Sequence, residues 1–141
     1  MIEILSAVGC SLVIIILARV LSKVFTTKLF AASILVAIAF IYVGFSLKGN
    51  PISLIILEIA AALVFYFIAL VGYKSNPALI AYGIIGHGVW DFLHHRLALI
   101  PTSIPTYWPL FCSVVDLITG IYFLIMFRRD KNSRLEQPSA L

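Results

Sequence analysis

The sequence predicts an all-α, polytopic membrane protein: a five-transmembrane-helix bundle with its N-terminus outside and its C-terminus cytoplasmic. Three observations carry that expectation. The 141 residues are 62% hydrophobic and only 11% charged, with a mean hydropathy of +1.12. A soluble domain carries about 25% charged residues, so a chain this apolar has lipid as its main solvent. The apolar residues fall into five runs, each near the roughly 20 residues needed to cross the hydrocarbon. Finally, the basic residues are sorted. Arg19, Lys23, Lys28, Lys74, Arg128, Arg129, Lys131 and Arg134 fall on one side of the alternating runs, and Lys48 and Arg96 on the other. That asymmetry puts the first side in the cytoplasm; the expected location is a cell membrane, the bacterial inner membrane foremost.

The first run covers about 3–21, and nothing in it reads as a cleaved signal. A short basic connection leads to the second, about 29–47. Lys48-Gly49-Asn50-Pro51 then supplies a glycine to end one helix and a proline to open the next. The third run is 52–73. Lys74-Ser75-Asn76-Pro77 repeats the punctuation, with Asn76 as N-cap, and the fourth run is 77–95. The segment 96–107 holds Pro101 and Pro105 and ends at Tyr107, which with Trp108 suits the headgroup level. The fifth run is 108–127. Residues 1–127 thus form a single transmembrane domain, and 128–141 a polar cytoplasmic tail expected to be disordered.

Other classes are excluded by the same composition. The net charge of +4 comes from cations at the ends of apolar runs, without the interleaved aromatic and basic residues of a nucleic-acid surface. Cys10 and Cys112 both lie inside apolar runs, which argues against a disulfide framework.

The chemistry gathers in Gly86-His87-Gly88-Val89-Trp90-Asp91-Phe92-Leu93-His94-His95, which holds every histidine of the chain. At about 100° per residue, Asp91 lies about 40° from His87, His94 about −20° and His95 about 80°, so the four share a stripe about 100° wide. At about 1.5 Å per residue, His87 lies about 12 Å below the outer end of its helix, Asp91 about 6 Å, Glu58 about 10 Å and Asp116 about 12 Å. Acids from three runs therefore meet the histidines at one depth. Each costs about 2.5–3.5 kcal/mol when uncompensated at mid-membrane, so they must share protons, pair with histidine or bind a cation.

Imidazole with carboxylate is a donor set for zinc or iron. His87, Asp91, His94 and His95 are the expected metal ligands. Glu58 and Asp116 are the expected general bases or further ligands, and Cys112, four residues before Asp116, is a weaker candidate. Structural hydrogen bonding is the competing use of the same groups, most of all for His95 near the helix end. Gly83, Gly86 and Gly88 remove bulk from the fourth helix and let others approach.

The pattern His87-Gly88-x-x-Asp91-x-x-His94-His95, followed by Trp108-Pro109-x-x-Cys112-x-x-x-Asp116, resembles a family of small bacterial integral membrane proteins with no assigned activity. That resemblance covers the fourth and fifth helices and implies a shared site without naming a reaction. The His-Gly-x-x-Asp portion is also similar to a motif of bacterial-type membrane carotene dioxygenases, which use histidine-bound iron and are larger and richer in histidine. The expected function is a small membrane metalloprotein, a metal-dependent hydrolase or oxidoreductase acting on a lipid or other apolar substrate. The alternatives are a proton- or metal-ion-handling transport component and a non-catalytic membrane subunit. A second copy of the chain is a further expected partner, since five short helices offer little room to enclose a site.

Overall fold

A computed structural model describes the backbone over residues 1–95 and 104–135, and side chains over 1–94 and 104–130. Among the described residues five helices follow one another: α1 (Ile2–Leu21), α2 (Thr27–Ser46), α3 (Ile52–Lys74), α4 (Ala78–His95) and α5 (Trp108–Leu135). Among the described residues four helical segments are long and apolar enough to cross a membrane: α1, α2, α3 and Trp108–Asp130 of α5. The remaining helix, α4, has 18 residues and carries the histidines.

The helix ends follow from local chemistry. Thr26 accepts a hydrogen bond from the Leu29 N–H at 3.2 Å, so α2 begins two residues before its apolar run. Gly49, at φ +81°, takes the left-handed conformation just beyond α2, and Pro51 opens α3. Asn76 accepts from the Ala78 N–H at 3.1 Å at the start of α4. The largest departure from expectation is at the other end. α5 continues through Arg128 and Arg129 to Leu135, into the segment expected to be a disordered tail, because no proline or glycine interrupts Phe127–Leu135. Residues 96–103, with Arg96 and Pro101, and 136–141 lie outside the described residues.

Polarity is inverted relative to a water-soluble protein. Ile16 is 60% exposed and Phe67 59%, while Ser11, Glu58 and Asp91 are buried. The buried stripes of the first three helices are rich in small residues: Ala7, Ser11 and Ala18 in α1; Ala31, Ala32 and Ala39 in α2; Ala62, Ala69 and Gly72 in α3. In lipid, close backbone approach rather than water exclusion holds helices together, and small residues permit it.

The pairing of residues fixes the arrangement. Leu35 of α2 and Ile68 of α3 both press on Gly83 of α4, and Gly120 of α5 lies on Ala81 and Ile85. α4 is thus central, with α2, α3 and α5 around it, and α1 packs chiefly on α5. An apolar core of Ala18, Ala31, Leu35, Ala69, Ile80, Ile84, Phe123 and Phe127 fills one half of the bundle. The polar residues fill the other half.

Candidate metal centre

Every polar group of the centre is set on a helix, so its position is fixed by helix packing rather than by a loop. His87 is the hub. Its Nδ1 donates to Asp116 Oδ2 across the α4–α5 seam at 2.8 Å, and the same nitrogen lies 3.6 Å from Asp91 Oδ2, one turn along α4. The exposures are 2% for His87, 0% for Asp91 and 1% for Asp116. One ligand atom from each lies within 4.8 Å of the others, close enough for one ion to touch all three.

The α4–α5 approach that makes this possible depends on Gly88, whose carbonyl also accepts from Ser113 Oγ at 2.8 Å. Of the three glycines expected to thin α4, Gly83 and Gly88 stand at tight contacts. Gly86 faces only Phe65, with a Cβ there 3.7 Å from the ring edge.

Asp91 is the anomaly. Both of its oxygens are buried, and neither has a hydrogen-bond partner among the described residues. An isolated buried carboxylate is costly in a low-dielectric interior, and most buried polar groups are paired. His87 as imidazolium would compensate one of the two neighbouring carboxylates. The second needs a proton or a cation.

His94 and Glu58 form a separate pair. His94 Nε2 lies 2.8 Å from Glu58 Oε1 of α3, and its Nδ1 donates to the Trp90 carbonyl at 3.0 Å. With Nδ1 carrying its proton, a further proton is shared between Nε2 and the carboxyl group, so the pair is neutral overall. Both ring nitrogens are engaged, and a metal could take His94 only by breaking one bond. The helix geometry explains the separation. His94 lies on the His87 stripe, but about 10 Å further along the axis, where α3 rather than α5 faces it.

Asp116, expected as a base or further ligand, thus joins His87 and Asp91, while Glu58 is held by His94. The side chain of His95 lies outside the described residues. Cys112 is half-buried and is no member of the three-residue group.

Tyr42 joins the site although the sequence does not single it out. It is buried in α2, with its ring 4.5 Å from that of His94 and 6.0 Å from that of His87. Its hydroxyl faces Asp91 yet closes no hydrogen bond among the described residues. Phe65 closes the other side, edge-on to His87 at 5.0 Å. A tyrosine in an apolar run carries no sequence signal that separates it from a packing aromatic.

Two cavities, of about 390 and 350 Å³, flank Trp108. The first is lined by α1 and the start of α5 through Glu3, Ser6 and Phe111, the second by Ile41, Phe45 and Lys48. Neither is lined by His87, Asp91 or Asp116.

The model of a family of unknown function, DUF6010, matches residues 2–129. No curated protein and no solved structure matches the chain.

Proposed function

We propose that this chain, which belongs to the DUF6010 family of unknown function, is a small metal-binding protein of the cell membrane that holds a divalent cation between His87, Asp91 and Asp116. In this reading all five helices cross the bilayer, with the N-terminus outside, and the centre lies in the outer half of the membrane. The observation that carries it is Asp91: a fully buried carboxylate that accepts no hydrogen bond among the described residues and lies 3.6 Å from a histidine already bonded to a second carboxylate.

Charge balance supports the same ion class. Two ionised carboxylates and a neutral imidazole carry −2, which one divalent cation cancels where the His87 Nδ1 proton would otherwise point. One nitrogen and two oxygen donors suit zinc or iron, and three protein ligands leave a position for water or substrate. An ion bound there would act as a Lewis acid and lower the pKa of bound water to about 7. His94 and Glu58 would then hold a shared proton beside it, with Tyr42 between the two groups.

Two uses of such a centre remain distinct. As an enzyme, a hydrolase or oxidoreductase, it would draw a lipid or other apolar substrate sideways from the bilayer. As a transport component it would pass an ion or proton. The closed packing around His87 favours the second, since an ion needs far less space than an acyl chain.

Elemental analysis of detergent-purified protein is the decisive experiment. About one zinc or iron per chain, lost in His87→Ala and Asp91→Asn, is the expected result. Metal-free protein after expression in metal-replete medium, with no uptake on titration, would overturn the proposal. Ion flux into proteoliposomes then separates transport from catalysis.

A further inference from the structure

The end of the bundle opposite the metal centre carries a second organised feature, made of cations docked on tyrosines. Arg19 of α1 donates from Nε to the Tyr122 hydroxyl of α5 at 2.6 Å, with its guanidinium 5.6 Å from the ring centroid. Arg128 of α5 donates from Nη2 to the Tyr82 hydroxyl of α4 at 2.8 Å. Lys28 of α2 sits 4.6 Å over the ring of Tyr73 of α3. Each contact joins two helices, and the three span the α1–α5, α4–α5 and α2–α3 seams. Lys23, Lys74 and Arg129 share this end, and Asp130 is the one acid there among residues whose side chains are described.

We propose that this tyrosine-clamped ring of cations binds the phosphate headgroups of anionic phospholipids, which bridge the helix seams at that face of the membrane. A cation left to topology alone would trail into water. These are held at the rim by an aromatic partner whose ring and hydroxyl belong at headgroup depth. In both arginine clamps the phenol oxygen is the acceptor, so its own O–H and the remaining guanidinium N–H groups stay available to a phosphate oxygen. Among residues whose side chains are described, six cations against one acid at this end select an anionic over a zwitterionic headgroup. The occupant is a lipid rather than a soluble phosphate because apolar side chains border the ring: Val24 and Phe25 beside Lys23, and Val71 and Leu70 below Tyr73, are all exposed. α1 gains most, since its other contacts are chiefly with α5 alone.

The test is native mass spectrometry of the full chain released from mixed micelles holding equal phosphatidylglycerol and phosphatidylcholine. Wild-type protein should retain phosphatidylglycerol at least about 5-fold over phosphatidylcholine, as expected of several charge-assisted contacts, and less at high salt. The triple variant Arg19→Gln, Lys28→Gln, Arg128→Gln should fall to near parity while keeping its metal content. Tyr82→Phe and Tyr122→Phe, which keep the charges, should lose part of the preference. If the triple variant fails to fold, the single variants and the tyrosine pair carry the test. Parity in the wild type, or a preference that survives all of these changes, overturns the proposal. Displacement of the lipid by inorganic phosphate overturns the lipid source. None of these outcomes bears on the metal centre at the other end.

Discussion

A Cβ built on Gly88 would stand 3.1 Å from the Cβ of Asp116 and 3.1 Å from the Ser113 carbonyl oxygen. The missing side chain is what allows α5 close enough for Asp116 to reach His87 at 2.8 Å. Gly88→Ala should therefore push the helices apart by a few tenths of an ångström. An expected cost of about 1–3 kcal/mol follows from overpacking, together with at least about 10-fold weaker metal binding from the disturbed donor set. Gly86→Ala, with a nearest contact of 3.7 Å, is the control and should alter neither thermal stability nor affinity measurably. Equal effects of the two substitutions would refute the close-approach argument.

Asp91 should separate stability from function. It is a buried carboxyl group that accepts no hydrogen bond among the described residues. Asp91→Asn removes the need to neutralise it and keeps its size. The apoprotein should unfold at the same or a higher temperature, since functional sites hold groups that fold stability alone would not select. Metal affinity should fall by about 100-fold or more, at the upper end of what losing a site partner costs. A large loss of apoprotein stability would instead make Asp91 a structural residue. Thermal unfolding with and without chelator reads both quantities.

The His94–Glu58 pair should behave as a unit. Glu58→Ala leaves a buried imidazole facing nothing, and breaking a buried pair costs about 3–5 kcal/mol. Replacing both, as His94→Leu with Glu58→Leu, should recover much of that loss, because well-packed apolar residues commonly replace buried ion pairs at little cost. Metal content should survive in the double variant, since neither residue belongs to the three-residue group. Loss of metal there would draw His94 or Glu58 into the centre.

Much of this architecture was legible in the sequence because lipid imposes it. Five apolar runs give five helices among the described residues, four of them long and apolar enough to cross a membrane, and depth arithmetic brings His87 and Asp116 to the level at which they bond. Glu58, set at the same depth, instead meets His94 about two turns further along α4. What that arithmetic lacks is azimuth. It cannot say that α5 faces His87 while α3 faces His94, because that depends on which helix lies beside which. Those neighbours are chosen by packing at Gly83, Gly88 and Gly120. Tyr42 is invisible for a related reason: a phenol in an apolar run reads as core until its ring is found between two imidazoles. The extension of α5 past Phe127 leaves no signal of this kind, because hydropathy reports where lipid ends, not where a helix does.

Metal binding should be pH-dependent, and the sign follows from the charge count. An ion held by His87, Asp91 and Asp116 requires both carboxylates ionised and the Nδ1 position free of its proton. Without the ion, the centre must carry protons to stay near neutrality in a buried, low-dielectric site. Uptake of the ion therefore releases protons, and apparent affinity rises with pH over the acid-to-neutral range. Since the ion binds the folded form, it should also raise stability by RT ln(1 + [M]/Kd), about 2.7 kcal/mol at 100 times Kd. That increment should shrink as the pH is lowered. Titrating zinc into weakly buffered detergent-solubilised protein, while following released protons with an indicator dye, measures the exchange directly. Binding without proton release, or tighter at low pH, would mean that the ion sits elsewhere, and Asp91→Asn should reduce the number released per ion by about one.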